Sequence, residues 1–279
     1  MGKSPLNLKE RYRNSRVSGA VSVVGNTFKE LFSAILPLLL YYAVTIPVLL
    51  ILNLLFGGGR DNGMYVIMQG IAAAAVLPFF HRMYRYDRLR REIHVTYTRR
   101  EKLLRYSYAA LTIGILSVAI NNLFGILRID QLSVGWKQAE AAFYGGTWVT
   151  ELLFLGILIP YVEEFLYRGL IYERFRDRYP IHRSIIITSV IFGVLHFNVA
   201  QFLYAFVIGL FLASFAERYH SFFPAFLGHA LANCIAVLRQ EIHLSLDENR
   251  AVSLVATILF AVMLLLNRAI QAALNKVGT

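Results

Sequence analysis

Two adjacent glutamates, Glu163 and Glu164, lie in the middle of an apolar stretch that runs from about Thr150 to Tyr172. A carboxylate buried in hydrocarbon is costly unless it is paired or faces water, so such a pair predicts a functional site. Glu164 and Arg168 are four residues apart, which places them on one face of a helix, where the arginine can neutralise this carboxylate. Glu163 is rotated by about 100° from Glu164 and could therefore remain the working carboxylate.

Histidines and an amide supply partners from later parts of the chain. Of the seven histidines, only His196 and His229 fall inside predicted membrane spans. Asn233 lies four residues after His229, on the same helix face, and Phe192 lies one turn before His196. A carboxylate beside an imidazole can deprotonate water. A second histidine with an amide can bind the oxyanion of a tetrahedral intermediate. The set therefore predicts amide-bond hydrolysis.

The same residue types leave a metal mechanism open. Glu163, His196 and His229 could instead ligate Zn²⁺, which would activate a bound water. The chain has no H-E-x-x-H motif, whose two histidines one turn apart would favour zinc. The ion pair of Glu164 with Arg168 already supplies charge balance, so no cation is needed to keep two carboxylates buried. We therefore favour no cofactor, with zinc as the alternative.

The composition indicates which elements must position these residues. The chain is 57% hydrophobic and only 16% charged, whereas soluble domains are about 25% charged. We predict an all-α polytopic membrane protein with eight transmembrane helices, several of them shorter than the roughly 20 residues that a full span requires. The apolar segments are Leu31–Phe56, Met64–Phe80, Ser107–Leu127, Thr150–Tyr172, Ser184–Val199, Gln201–Ala216, Phe222–Leu238 and Ala251–Asn267.

The basic residues predict the orientation of this single membrane domain. If both termini are cytosolic, 23 of the 28 Lys and Arg residues lie on the inner side, as the positive-inside rule requires. The predicted parts are a cytosolic basic segment (1–30), three accessory spans (31–149), four catalytic spans (150–238) and a last span (251–267). The net charge of +11 is thus assigned to membrane orientation, and no nucleic-acid partner is expected. The basic loop Arg82–Arg105 is expected to meet anionic lipid head groups.

Three motifs occur in a characteristic order. Residues 163–168 read E-E-x-x-x-R, residues 192–196 read F-x-x-x-H, and residues 229–233 read H-x-x-x-N. In this order they resemble the CPBP family of CAAX proteases and bacteriocin-processing enzymes, also called the Abi family. The resemblance covers about Thr150 to Leu238.

The resemblance implies an eight-span fold and peptide-bond hydrolysis. It implies that Glu163 and His196 activate water, that His229 and Asn233 form the oxyanion site, and that the second glutamate and its arginine support them. The family is often labelled metalloprotease, although a metal-free glutamate-dependent mechanism has also been argued. The expected substrate is a membrane-associated peptide or protein, either prenylated at a CAAX end or a short bacteriocin-like peptide. We expect it in the plasma membrane of a prokaryotic cell.

Two non-protease functions remain as alternatives. One is a non-catalytic immunity or scaffold protein of the same fold. The other is an ion-coupled transporter that uses Glu163, His196 and His229 as a relay. Transporters usually carry internal repeats, and the two halves of this chain show no match. The oligomeric state is left open.

Overall fold

The chain folds into helices throughout the part that the structure describes. The structure is a computed structural model, and it describes residues 8–56, 62–91, 96–129, 144, 146–241 and 250–276. No strand occurs in these residues, which confirms the predicted all-α class. The helices are α1 (Leu8–Phe56), α2 (Asn62–Ala74), α3 (Leu77–Arg91), α4 (Arg99–Leu127), α5 (148–176), α6 (Ile181–Val194), α7 (Val199–Tyr219), α8 (Phe223–Glu241) and α9 (Arg250–Lys276).

Several helices are suited to a bilayer. In the described residues, five stretches are long and apolar enough to cross one; they are Lys29–Phe56, Gly63–Arg91, Arg99–Leu127, Val199–Tyr219 and Leu254–Ala273. Helices α2 and α3 together form one of these stretches, interrupted by a turn at residues 75–76. Helix α6 has only 14 residues, about 21 Å at 1.5 Å per residue. It is therefore shorter than a full span, as predicted for several of the apolar segments.

The predicted cytosolic loop Arg82–Arg105 is mostly helical. Helix α3 continues to Arg91, and α4 already begins at Arg99. Arginine and leucine favour helices, so both spans extend beyond their apolar parts. The backbone N–H of Glu101 donates to the side chain of Thr98. In return, the backbone N–H of Thr98 donates to the carboxylate of Glu101. This capping box defines the start of α4.

Helix α5 alternates between α-helical and π-helical geometry. Its α-helical stretches are Trp148–Glu151, Ile159–Glu164 and Glu173–Arg176, and its π-helical stretches are Leu152–Leu158 and Phe165–Tyr172. The wider π-helical turns leave some carbonyl groups available to neighbouring helices, and such turns are frequent at functional sites. The two glutamates close the middle α-helical stretch, between the two π-helical ones.

Helix α5 is also the centre of the largest hydrophobic cluster. Its buried residues include Val162, Phe165 and Leu170, which share a cluster with Phe80 of α3 and Phe192 of α6. A second cluster joins α4, α7 and α8. From Val162 to Tyr172, the helix that carries the glutamates is therefore largely buried, and its polar groups there must find partners within the bundle.

Polar contacts join the end of α5 to its neighbours. Three of the residues involved, Arg174, Asp87 and Ser33, are called the arginine clamp. Arg174 donates from Nε to the Asp87 carboxylate at 2.8 Å and from Nη1 to the Ser33 carbonyl at 2.8 Å. Next to the clamp, Arg91 donates twice to the Asp177 carboxylate. The clamp therefore sets the position of α1 and α3 against α5.

Candidate active site

Glu164 and Arg168 form an ion pair that is completely enclosed by protein. Both side chains are 0% exposed, and Arg168 Nη1 donates to Glu164 Oε1 at 2.6 Å. His229 Nδ1 bonds the same oxygen at 2.8 Å. Among the described residues, the other carboxylate oxygen has no hydrogen-bond partner. Through one carboxylate oxygen, Glu164 thus joins α5 to α8.

Arg168 makes two further contacts across the bundle. Its Nη2 donates to the Gly209 carbonyl of α7 at 3.3 Å, and its guanidinium lies 4.5 Å from the centre of the Phe192 ring. A side chain at Gly209 would place its first carbon 3.3 Å from that nitrogen and 3.2 Å from Ser189. The absence of a side chain at Gly209 therefore lets α7 approach without crowding either group. The cation is held by a carboxylate, a carbonyl and an aromatic face.

His229 connects the two glutamates. A carboxylate accepts hydrogen bonds, so the contact with Glu164 assigns a hydrogen to Nδ1 of His229. The other ring nitrogen, Nε2, lies 3.8 Å from Glu163 Oε2, which is too far for a direct hydrogen bond. Glu163 is 25% exposed. In the described part of the chain, its carboxylate makes no hydrogen bond. Glu163 is thus the more accessible of the two carboxylates.

His196 lies just beyond α6, in the turn that leads to α7. The predicted span Ser184–Val199 is helical only as far as Val194 in α6, and Phe197 has a positive φ of 53°. Asn198 then caps α7, and asparagine is a preferred cap residue. His196 Nδ1 donates to the Phe192 carbonyl at 2.9 Å. In the tautomer that carries its hydrogen on Nδ1, Nε2 of His196 is an acceptor.

The ring of Phe192 brings the motifs together. His196 and His229 contact it edge-on, with ring centres at 5.2 and 5.7 Å. Tyr167 also contacts it edge-on at 4.9 Å, and Arg168 lies over its face. Phe192 is the first residue of the F-x-x-x-H motif. Both histidines and the α5 motif therefore surround a single aromatic side chain.

Asn233 lies one turn after His229 on α8. Its Nδ2 donates to the Leu155 carbonyl at 3.0 Å. That carbonyl belongs to the first π-helical stretch of α5. An amide nitrogen carries two hydrogens, so Asn233 retains one N–H for another acceptor while it joins α8 to α5.

Residues 145–235 match the family model described as Type II CAAX prenyl endopeptidase Rce1-like. The match covers about a third of the chain and includes all three motifs. The chain carries a CAAX-type intramembrane protease domain. The predicted resemblance to the CPBP/CAAX proteases is thereby confirmed, and the protein is a membrane-embedded peptidase. No curated protein and no solved structure gave a significant match. Helices α1 to α4 and α9 of the protease lie outside the matched segment.

The zinc alternative can be compared with the geometry of the protease. Glu163 and His229 present two donor atoms 3.8 Å apart, but a catalytic zinc site normally has three protein ligands. In the described parts of the chain, no three His, Cys, Asp or Glu side chains are grouped so that they could hold a metal ion. As placed, these residues do not make a zinc site.

Sequence reasoning missed two features of the site. Phe192 was noted only for its position before His196, although its ring contacts three motif residues. The Leu155 carbonyl was not anticipated at all. A signal for it exists in Pro160, which has no backbone N–H to bond a carbonyl of the preceding turn. A proline inside a helix therefore favours a local departure from α-helical geometry, here the π-helical stretch Leu152–Leu158.

Proposed function

We propose that this protease hydrolyses a peptide bond of a membrane-associated peptide or protein, with Glu163 as the general base. One observation supports this assignment above others. Arg168 and His229 both bond one oxygen of Glu164, whereas Glu163 faces His229 and remains partly exposed. The two neighbouring carboxylates thus have different roles in this proposal. Glu164 positions Arg168 and His229, and Glu163 is available for proton transfer.

The proposed reaction begins with a water molecule between Glu163 and His196. Glu163 removes a proton from this water as its oxygen attacks the carbonyl carbon, while the accepting Nε2 of His196 orients it. The tetrahedral oxyanion is stabilised by the remaining N–H of Asn233 and by Nε2–H of His229 in its protonated form. The C–N bond then breaks, and the leaving amine receives the proton held by Glu163. No step requires a cofactor.

The carboxylate role can be tested with the purified protease in lipid vesicles. Glu163→Gln keeps the shape of the side chain and removes its basicity. We expect turnover of a membrane-anchored reporter peptide to fall by a factor of about 10²–10⁴, with unchanged thermal stability. Glu151→Gln is the matched control, because Glu151 is a buried glutamate of the same helix that accepts from the Gly146 backbone. Wild-type turnover in Glu163→Gln would rule out the carboxylate as the base.

The substrate proposal follows from the family rather than from a residue of this chain. Either a prenylated CAAX-type protein or a short bacteriocin-like peptide is compatible with a site inside a helical bundle. We propose the plasma membrane of a prokaryotic cell as the location. Comparative peptidomics of cells that carry wild type or Glu163→Ala should reveal peptides whose cleavage depends on Glu163. Parallel assays with prenylated and unprenylated forms of one peptide would decide between the two classes.

A further inference from the structure

Three tyrosines lie near Glu163, whose carboxylate is partly exposed. Tyr41 and Tyr42 belong to α1, and Tyr167 lies one turn after Glu163 on α5. All three are close enough to Glu163 to interact with it electrostatically. Helix α1 lies outside residues 145–235. The family match therefore assigns nothing to Tyr41 or Tyr42.

Packing holds these rings in place. Tyr167 is 6% exposed and contacts Phe192 edge-on. Tyr41 packs against the hydrophobic cluster that contains Tyr167, and its ring centre lies 5.3 Å from that of Tyr42. The arginine clamp holds α1 two turns before Tyr41, through the Ser33 carbonyl. Tyr41 therefore packs against the cluster around α5 in a defined register, and the ring of Tyr42 packs against that of Tyr41.

The hydroxyl groups of these rings are available for new hydrogen bonds. In the part of the chain that the structure describes, none of the three donates to a protein acceptor. Glu163 likewise accepts no hydrogen bond there. A buried phenol usually finds a hydrogen-bond partner. Several donors without protein partners beside an acceptor without one define a place for a small hydrogen-bonding group.

We propose that Tyr41, Tyr42 and Tyr167 are positioning residues that hold the attacking water against Glu163. We call them the tyrosine collar. This proposal rests on the proposed function, because it assigns the collar to the water that Glu163 deprotonates. The phenol O–H groups donate to the water or the carboxylate, and such donors stabilise an ionised carboxylate. The first helix thus completes a site whose other members lie between α5 and α8.

The test replaces each collar residue by phenylalanine, which keeps the ring and removes the hydroxyl. Turnover of the reporter peptide should fall roughly tenfold for each variant, as expected for one hydrogen bond to a charged group, with KM unchanged. The acidic limb of the pH profile should also move to higher pH, because fewer donors then stabilise the ionised base. The other charged and titratable groups near Glu163, namely Glu164 and Arg168 of α5, His229 of α8 and His196 after α6, stay the same in every variant.

Tyr84→Phe is the matched control. Tyr84 packs edge-on against Phe165 in the same aromatic layer, but Arg88 lies over its ring. Removal of the Tyr84 hydroxyl should leave turnover and the pH profile unchanged. Thermal stability is measured for every variant. If the buried Tyr167→Phe fails to fold, the half-buried Tyr41→Phe and Tyr42→Phe variants decide the question.

The outcomes separate this proposal from the proposed function. Wild-type kcat and pH profile in the collar variants, together with an inactive Glu163→Gln, would overturn the collar and leave the base assignment intact. A raised KM with unchanged kcat would show that the tyrosines bind substrate, which also overturns a water-positioning role. Wild-type turnover in Glu163→Gln would instead remove the proposed function itself.

Discussion

Neighbouring residues of identical chemistry have different environments in this site. Glu163 and Glu164 differ by one helical position, about 100° of rotation. That rotation directs Glu164 to Arg168 and His229 in the protein interior, and it leaves Glu163 25% exposed. A buried ion pair contributes little when complete but is costly to break, because one charge remains without compensation. Glu164 and Arg168 should therefore matter for folding as much as for activity.

The Glu164–Arg168 pair can be tested by removing one partner and then both. We expect Arg168→Ala to lose activity and about 3–5 kcal/mol of unfolding free energy, because Glu164 is left buried and charged. The double variant Glu164→Gln with Arg168→Met should recover much of that stability but not the activity. Thermal or denaturant unfolding in detergent measures both effects. An Arg168→Ala protein as stable as wild type would contradict the structural role.

Metal dependence is the second question at the residue scale. If Glu163 is a general base, activity should survive treatment with chelators that reach the cavity. Its pH profile should be bell-shaped, with one carboxylate and one histidine limb. A three-ligand zinc site would instead lose all turnover. Metal analysis of the active preparation provides the control. Stoichiometric zinc, with activity lost on stripping and restored by zinc alone, would show that the metal-free proposal is wrong.

At the scale of elements, α5 acts as the scaffold of the site. Its two π-helical stretches flank the glutamates, and the first presents a carbonyl to Asn233. Its far end is tied to α1 and α3 by the arginine clamp. Surface ion pairs are worth at most about 1 kcal/mol, whereas loss of one partner of a buried pair is strongly destabilising. Burial, rather than distance, should therefore decide which contacts of α5 matter.

Two arginines of similar geometry test this rule. Arg174 pairs with Asp87 at 2.8 Å, and both are almost fully buried. Arg90 pairs with Asp177 at 2.6 Å, but its side chain is 52% exposed. We expect Arg174→Ala to lower the unfolding free energy by about 3–5 kcal/mol and Arg90→Ala by less than about 1 kcal/mol. Equal losses in a parallel unfolding experiment would contradict the importance of burial here.

At the scale of the whole molecule, the matched protease segment lies within a larger helical bundle. Helix α4 packs on α7 and α8 in the second hydrophobic cluster, and Tyr108 of α4 donates to Asn267 of α9 at 2.7 Å. Helix α1 packs on the cluster around α5. Helices outside the matched segment thus support the site from two sides. The orientation of this bundle is still a prediction from the distribution of basic residues.

Orientation can be measured by cysteine labelling. The chain has one cysteine, Cys234, so Cys234→Ala provides a background without thiols. Arg90→Cys, at an exposed position of α3, should then react with a membrane-impermeant reagent only from the cytosolic side. A cysteine introduced at Arg239, near the end of α8, should show the opposite accessibility. Labelling of Arg90→Cys from outside would reverse the predicted topology and the expected side of substrate entry.

The helices could be predicted from the sequence because membrane spans obey a local rule. Each apolar segment must satisfy its own backbone hydrogen bonds, so a helix is the only solution available to it. The ends of the helices do not follow from this rule. The ends of α3 and α4 extend into the predicted loop, and α6 ends before His196. Capping residues such as Thr98 and Asn198 determine where the helices begin. Hydropathy alone does not identify capping residues.

The motif residues and their pairs within one helix were already defined by the sequence, since four-residue spacing brings Glu164 to Arg168 in any α-helix. Only the tertiary structure decided that His229 bonds Glu164 and merely faces Glu163, a contact across 65 positions of the chain. It also decided that Asn233 bonds a π-helical carbonyl and that the tyrosines of α1 lie near Glu163. These contacts depend on how α1, α5 and α8 pack against one another, and packing is a property of the whole bundle that no local spacing encodes.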